Sequence, residues 1–294
     1  MKKKVMPWLL TTAMAATMIP ASSVFAARRE TEFSQNFEEY ETREEADAAR
    51  GVYVTTYANS SGSGLAKFVK EYADVIKTIT LAPEEDENDF SAIREIVRDT
   101  DVVISMGHTS ADYETAMKSV NAGVKHATHL FNAMTPLAHR APGVVGAALN
   151  SDISCEVIVD TFHVDASLYN MLWKLKGRKL CFITDCLPAG GLPEGEYTLG
   201  GQKIIYKGIV CRLEDGTVAG SVLKLNKGVW NVYTNSDIPL YECVNCASLN
   251  IAETLGIEKK KGSLEIGKDA DIIIADGEFN IEKTIIGGCI RYES

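Results

Sequence analysis

Four side chains that could carry out metal-assisted hydrolysis each follow an apolar stretch of the sequence. They are His108 after DVVISMG, His129 after VKHAT, His163 after EVIVDTF and Asp185 after LCFIT. Two imidazoles and a carboxylate from separate strands are suited to holding a divalent cation and acting on a water molecule. A nearby carboxylate can also accept the water's proton and pass it to a leaving group. For any single histidine, a packed core or loop position remains the alternative.

Three of the chain's five histidines lie in the neighbouring stretches KHATHLFNAM and HRAPG. His126 precedes His129 by three residues in the same predicted strand, so we expect it on the opposite face, as a packing or supporting residue. His139 is expected in a loop. Within this group, His129 is therefore the residue expected to face a metal ion, together with His108.

The elements that must position these residues alternate between strand and helix. Short β-branched runs such as IKTITLAP and DVVISMGH alternate with helical patterns such as DFSAIREIVRDT and SADYETAMKSVNAG. This alternation is typical of parallel βα units. In a (β/α)8 barrel of the TIM type, the carboxyl ends of the strands build the active site. The four polar residues would then share one rim of an α/β barrel.

Beyond Asp185 the pattern changes to hairpins. EYTLGGQKIIYKGIVCRLEDGTVAG alternates in polarity and is interrupted by Gly-Gly, Lys-Gly and Asp-Gly turns, and the tail also indicates short strands. A small β-rich element is therefore expected beside the barrel. The expected organisation is a signal peptide at 1–26, a charged arm and flexible joint at 27–64, a partial barrel at 65–190 plus 221–256, and the β-rich element at 191–220 plus 257–294.

The amino terminus indicates export. A charged MKKK, a mostly apolar segment and a small-residue ASSVFA form the three regions of a secretory signal, with cleavage expected after Ala26. An uncleaved anchor fits less well, because Pro7 and Thr11 interrupt the apolar run before it reaches the ~20 residues that span a bilayer. We therefore expect no stable membrane span.

The cysteines and the net charge narrow the function further. Seven cysteines form no even-numbered disulfide framework, and Cys243 and Cys246 lie on a helical face that indicates packed thiols rather than a redox or metal pair. This usage of cysteine is typical of a cytosolic enzyme, in conflict with the signal peptide.

A net charge of -10 argues against a nucleic-acid partner, so an anionic substrate must be bound by local cations.

Six motifs in fixed order give the chain a family resemblance. GHTSADYETA, HATHLFNAMTPLAHRAPGVVGAAL, DTFHVDAS, FITDCLPAGGLPEGEYTLGGQKI, DGTVAGSVL and KGSLEIGKDADIIIADGEF together resemble the N-acetylglucosamine-6-phosphate deacetylases of the amidohydrolase superfamily. The resemblance is collinear from about Ile76 to Gly288. It implies a metal-dependent hydrolase of amino-sugar catabolism, acting in the cytoplasm on a small amino-sugar phosphate, with a divalent ion for which zinc is the expected identity.

The resemblance also implies roles for individual residues. His108 and His129 would be metal ligands, and Asp185 would be the acid and base. His163 would contact the substrate at its reacting end. An Arg is well matched to phosphate by its planar fork. The other implied substrate-binding residues are Asn132, Ala133 and Arg140 around the sugar phosphate, and Val218, Ala219 and Gly220 through their backbone at the sugar pocket.

The amino-terminal part departs from the family pattern. No H-x-H motif and no HLEGP-like strand with an acidic metal ligand is found, and the region before Tyr72 is too short for three more βα units. Glu84, Glu85 or Asp86 are the acidic residues that could substitute. An incomplete barrel would expose a parallel edge strand, which favours association and leaves a homo-oligomer possible.

Three functions remain open at this point. The first is the deacetylase. The second is a truncated, inactive relative that retains sugar-phosphate binding at most. The third is an exported structural or interaction protein that uses the acidic arm, although neither the arm nor the joint contains a recognisable docking motif.

Overall fold

The structure is a computed structural model that describes residues 54–55, 62–199 and 202–294. The predicted signal peptide at 1–26 and most of the arm and joint at 27–64 lie outside these residues.

A six-stranded parallel sheet forms the centre of the described chain. Its strands follow one another in the order β1-β2-β3-β4-β5-β6, each paired in parallel with the next. The strands are β1 (Val54–Thr55), β2 (Thr78–Leu81), β3 (Val103–Met106), β4 (His126–Ala127), β5 (Ser154–Ile158) and β6 (Leu180–Ile183). Among the described residues the sheet ends at β1 and β6 and does not close. The parallel α/β class predicted from the alternating pattern is confirmed.

Helices connect the strands and cover the sheet. They are α1 (Gly62–Glu71), α2 (Glu87–Asp99), α3 (Tyr113–Ala122), α4 (Gly143–Asn150), α5 (Tyr169–Lys176), α6 (Leu225–Asn235), α7 (Leu240–Cys246) and α8 (Leu249–Thr254). Short 3-10 turns span Pro83–Glu85, Ala166–Leu168 and Gly177–Lys179. Cys243 and Cys246 are buried free thiols in α7, as the helical pattern predicts.

Burial explains the composition of these strands. Strands β2, β3 and β5 are buried at every residue, and apart from Glu156 in β5 they consist of apolar residues and small hydroxyl or thiol residues, as parallel strands covered on both faces do. Hydroxyls lie side by side on one face: Thr128 Oγ1 is 2.8 Å from Thr80 Oγ1 and 2.6 Å from Ser105 Oγ. This polar row indicates that the sheet supports a polar site and not only a core.

Two antiparallel sheets lie outside the parallel sheet. One has the order β10-β9-β8-β7, from β7 (Gly195–Leu199), β8 (Gln202–Lys207), β9 (Val210–Leu213) and β10 (Val218–Ser221). The other has the order β11-β12-β13, from β11 (Ile272–Ala275), β12 (Ile281–Ile286) and β13 (Cys289–Glu293). The predicted β-rich character of these segments is present, in two sheets. The exact domain boundaries remain a prediction.

Two parts of the predicted arm and joint at 27–64 are wrong. Residues 62–64 begin helix α1, because the first turn of a helix has unpaired N–H groups in any case and tolerates Gly and Ser. Val54 and Thr55 pair in parallel with Ile79 and Thr80 as strand β1. The β-branched run GVYVTT was the sequence feature that could have indicated this strand.

Among the described residues, no helix has the length and apolarity needed to cross a bilayer.

Candidate active site

His108 and His129 meet at the carboxyl ends of two neighbouring strands. Their Nε2 atoms are 2.8 Å apart, and the rings are inclined by 72° with centroids 4.6 Å apart. Burial, followed by the neighbouring His129, lowers the pKa of His108 to about 4. The His108 imidazole is therefore neutral near pH 7, which is the state in which histidine binds a metal ion. The donor chemistry of the pair fits two positions around zinc or a similar cation.

The described residues bring no third His, Cys, Asp or Glu into a metal-binding group with this pair. Glu84 is instead bound by the hydroxyl of Thr109 and by the backbone and hydroxyl of Ser110. Asp86 accepts from the N–H groups of two residues in α2, at 3.1 and 2.9 Å. Both carboxylates are therefore held by donors of the chain itself, and neither joins the His108–His129 pair in a metal-binding group.

Glu156 on strand β5 holds the main chain of His129 through a hydrogen bond. Its Oε1 lies 3.0 Å from His126 Nε2 and its Oε2 accepts the backbone N–H of His129 at 3.2 Å. Burial raises the pKa of the Glu156 carboxyl, but the hydrogen bond and charge of His126 and the N–H of His129 outweigh burial and hold this pKa below its usual range. His126 is buried in this contact, consistent with a supporting residue.

Asp185 follows strand β6 at the same end of the sheet. Burial raises the pKa of its carboxyl, while His129 and His163 act in the opposite direction and Glu156 and Asp160 add to the rise. Asp185 is nevertheless exposed to solvent, so it lies on the open side of the rim. Asp185 is thus close enough to His129 and His163 for their charges to affect its pKa.

His163 is held by Asp160 at the end of strand β5. The Nδ1 of His163 is 2.7 Å from Asp160 Oδ2, and Asp160 Oδ1 accepts the backbone N–H groups of Phe162 and His163 at 2.9 and 2.8 Å. Burial acts to raise the pKa of Asp160, but the His163 contacts and these N–H groups lower it overall. The ionised carboxylate therefore fixes the ring so that Nε2 is its remaining polar atom.

The backbone turns sharply at the three central residues. His108, His129 and Asp185 have positive φ angles of 49°, 30° and 48°. Such angles are uncommon for residues with a Cβ and cost of order 1–3 kcal/mol each. Each strand therefore stops and turns at the rim, and the sheet and its hydrogen bonds must hold these conformations.

The loop after β4 carries the predicted sugar-phosphate residues. Asn132 Nδ2 donates to the carbonyls of His129 and Leu130, each at 3.3 Å, and the carbonyl of Ala133 accepts from Thr109 N–H at 3.0 Å. These bonds tie the loop to the segment after β3. Arg140 is exposed, with Nη1 2.6 Å from His139 Nε2, and His139 is in a loop as expected.

Strand β10 brings Val218, Ala219 and Gly220 beside the Asp185 loop. Ser221 N–H donates to the carbonyl of Asp185 at 3.0 Å, and Leu187 N–H donates to the carbonyl of Ser221 at 2.9 Å. A Cβ on Gly220 would lie 2.8 Å from Leu187 Cγ. The antiparallel sheet is therefore joined to the rim at Asp185, the predicted acid and base.

Sequence reasoning did not identify Glu156 and Asp160. Both lie in the quoted stretch SCEVIVDTFH, and a charged residue inside a run of buried strand residues was the feature that could have revealed them. A carboxylate is almost never fully buried unless it is paired. Each therefore required a partner, and the structure supplies a histidine to each.

Parallel βα units with imidazoles and a carboxylate at the carboxyl ends of their strands define an α/β enzyme of the barrel type. Sequence comparison agrees, because a sequence model described as "Amidohydrolase family" matches residues 36–291. The chain belongs to the amidohydrolase family.

Individual relatives are more specific. The chain is 40% identical over 230 residues to the N-acetylglucosamine-6-phosphate deacetylase of Bacillus subtilis (strain 168), covering 78% of this chain and 58% of that protein. A crystal structure of the same enzyme from Pasteurella multocida has a TM-score of 0.82 at 26% identity, covering 97% of this chain and 87% of that one. A mutant of the Mycobacterium smegmatis enzyme in complex with N-acetyl-D-glucosamine-6-phosphate has a TM-score of 0.73 at 27% identity, covering 79% and 62%. The chain thus spans about three-fifths of the length of the B. subtilis relative.

Proposed function

We propose that this chain hydrolyses the N-acetyl group of N-acetylglucosamine 6-phosphate, giving glucosamine 6-phosphate and acetate, in amino-sugar catabolism. The observation that carries the proposal is the pair of His108 and His129 Nε2 atoms, 2.8 Å apart, on the same rim as Asp185. The 40% identity to the B. subtilis deacetylase supports the choice of substrate.

His108 and His129 are the residues that would hold a divalent cation, and zinc is the expected ion. A bound cation supplies Lewis acidity toward the acetamide and lowers the pKa of water. Asp185 accepts the proton of the attacking water and then gives it to the departing sugar nitrogen. Desolvation raises the pKa of the Asp185 carboxyl, which strengthens it as a proton acceptor.

The remaining residues bind and orient the substrate. His163, fixed through Nδ1 by Asp160, presents Nε2 to the reacting end of the sugar. Asn132 and Ala133 lie in the loop that His129 begins, and Arg140 supplies a planar cation for the phosphate. Val218, Ala219 and Gly220 offer backbone groups beside Asp185, where the absence of a side chain at Gly220 leaves room for close approach.

Acetate release from N-acetylglucosamine 6-phosphate by the purified full chain, with and without added Zn²⁺, tests this function. Asp185→Asn should lower the rate by ~10²–10⁴-fold, the usual contribution of a positioned acid and base. Asp152→Asn is the matched control, because Asp152 is exposed at the amino end of strand β5 and away from the rim. Activity that survives Asp185→Asn unchanged would contradict the proposal.

A second candidate is an inactive relative that binds the sugar phosphate without turning it over. The observation behind it is that, among the described residues, His108 and His129 come together without a third His, Cys, Asp or Glu. Calorimetric titration with glucosamine 6-phosphate distinguishes the cases, since binding without acetate release supports this candidate.

The site of action and the assembly are also proposals. A sugar-phosphate substrate implies the cytoplasm, whereas the sequence of residues 1–26 implies export. Cell fractionation combined with amino-terminal sequencing of the mature protein decides between them. Among the described residues β1 and β6 end the parallel sheet, and such end strands favour a homo-oligomer, which light scattering of the purified chain tests.

A further inference from the structure

The imidazole of His129 is held by a hydrogen-bond partner at only one of its two nitrogens in the described structure. Metal-binding histidines usually donate their second ring nitrogen to a carboxylate, a carbonyl or water, which fixes the ring. The Nδ1 of His129 is buried and has no hydrogen-bond partner in the described structure. The backbone at His129 is also in an unfavourable conformation, with φ of 30°. The ring is therefore held at Nε2 by His108 and not at Nδ1, which leaves the main chain of His129 as its second support.

Glu156 supplies that support from the neighbouring strand. Its carboxylate accepts the N–H of His129 at 3.2 Å, and its main-chain carbonyl accepts the N–H of Leu130 at 2.8 Å. The two consecutive N–H groups at the turn after β4 are thus bound by a single residue of β5. His126 occupies the other carboxylate oxygen at 3.0 Å, so both oxygens of Glu156 are used.

The chemistry of this contact requires a carboxylate. A buried carboxylate is costly unless it is paired and hydrogen-bonded, and His126 and the His129 N–H together meet that need. A carboxylate accepts at both oxygens, whereas an amide accepts at one atom and donates at the other. Glutamine at this position would keep the His129 N–H only by placing its NH₂ group against His126 Nε2, which would move the His126 proton to a buried Nδ1 that has no hydrogen-bond partner in the described structure.

We propose that Glu156 is a positioning residue that holds His129 in its left-handed turn and thereby keeps the His129 Nε2 opposite the His108 Nε2. Any effect of Glu156 on acetate release rests on the proposed function, but its effect on the position of the His129 ring does not. The competing explanation is that Glu156 and His126 form only a buried polar pair that stabilises the core. The two explanations differ in whether the effect of changing Glu156 passes through His129.

The first experiment measures Zn²⁺ affinity by calorimetry on the full chain after removal of metal with a chelator. Glu156→Gln should weaken Zn²⁺ binding by ~10–100-fold, as changes to supporting residues of metal sites do. In a His129→Ala background the same change should have no further effect on the residual affinity. Glu156→Asp, which keeps the charge on a shorter side chain, should lie between the parent and Glu156→Gln.

Ser154→Ala is the matched control. Ser154 is buried two residues earlier on the same strand and accepts a hydrogen bond from Thr254 at 2.9 Å, so its loss perturbs the core without touching His129. Its melting temperature should fall while the Zn²⁺ affinity stays at the parent value. If Glu156→Gln behaves as Ser154→Ala does, or weakens binding equally in the His129→Ala background, the positioning role is wrong.

A second readout does not depend on metal or on turnover. Histidine side-chain ¹⁵N spectra of the metal-free chain, assigned with single variants, report the contact between His108 and His129. Glu156→Gln should shift these two resonances and leave that of the exposed His139 unchanged. Unshifted His108 and His129 resonances would overturn the proposal, even for a chain that binds no Zn²⁺. Failure of acetate release alone would instead count against the proposed function.

Discussion

The Nε2 atoms of His108 and His129 are 2.8 Å apart although the two residues are separated by 21 positions in the chain. Parallel pairing explains this contact. Met106 pairs with Ala127, and each histidine comes two residues after its member of that pair. The register of β3 and β4 therefore places the two histidines at matching positions beyond the carboxyl ends of their strands.

This relationship predicts a shared metal ion. His108→Asn and His129→Asn should each weaken Zn²⁺ binding by more than tenfold, because each removes a ligand of the same ion. The double variant should be less impaired than the product of the two single effects, since residues that act as a unit are not additive. Competition against a chromophoric chelator measures these affinities. Additive effects would indicate that the histidines do not bind one ion.

The lowered pKa of His108 predicts a pH dependence of stability in the metal-free chain. Burial brings this pKa from 6.5 to about 4 in the folded state, so the unfolded chain binds the proton more readily between these values. Stability should therefore fall as pH decreases from about 6.5 toward 4. Urea unfolding midpoints at several pH values measure it. His108→Asn should flatten this part of the profile, whereas His139→Asn, at an exposed site, should not.

Asp160 offers a test of substrate positioning. Asp160→Asn keeps an acceptor for the two backbone N–H groups but places an NH₂ group against His163 Nδ1, so the ring must change tautomer or move. Loss of a hydrogen bond to a charged group costs ~1.5–3 kcal/mol, which is about 10–100-fold in kcat/KM for the proposed reaction. Steady-state kinetics on N-acetylglucosamine 6-phosphate measure it.

The same variant contains its own control. Because Asp160→Asn loses the His163 contact but leaves the backbone bonds in place, its melting temperature should fall less than that of Asp160→Ala, which loses all three contacts. Equal losses of stability in both variants would indicate that Asp160 acts on the loop and not on His163.

The sequence predicted the parallel βα pattern because buried strands and amphipathic helices have different periods. It also predicted the rim positions of His108 and Asp185, since each directly follows a run of strand residues. It did not predict strand β1, because the β-branched run GVYVTT lies between a charged segment and a Ser/Gly-rich segment and was included with them in the arm. The predicted strand VKHATHLF contains only His126 and Ala127 as a strand, because the chain turns left-handed at His129.

The supporting carboxylates escaped prediction for a different reason. Glu156 and Asp160 are defined by their partners His126 and His163, and pairing between buried groups depends on tertiary structure and not on local pattern. The same holds for Glu84, whose acidic side chain suggested a metal ligand but is bound by the Thr109 hydroxyl and by Ser110. Residue type indicated the chemistry of the rim, and only the structure showed which charges are already used.

Gly220 connects the antiparallel sheet to the rim, and its replacement tests that connection. Gly220 has φ of 148°, and an added Cβ would approach Leu187 Cγ to 2.8 Å in the loop that begins at Asp185. Gly220→Ala should therefore cost ~1–3 kcal/mol of unfolding free energy through overpacking and should also lower kcat by displacing Asp185. Adding Leu187→Ala should recover part of the stability, because it removes the contact while the backbone strain remains. Gly195→Ala is the control, since the nearest heavy atom to its Cβ is 4.0 Å away.

Urea unfolding together with acetate release measures both effects of Gly220→Ala, on stability and on kcat. A Gly220→Ala chain with parent stability and activity would show that β10 does not hold the Asp185 loop.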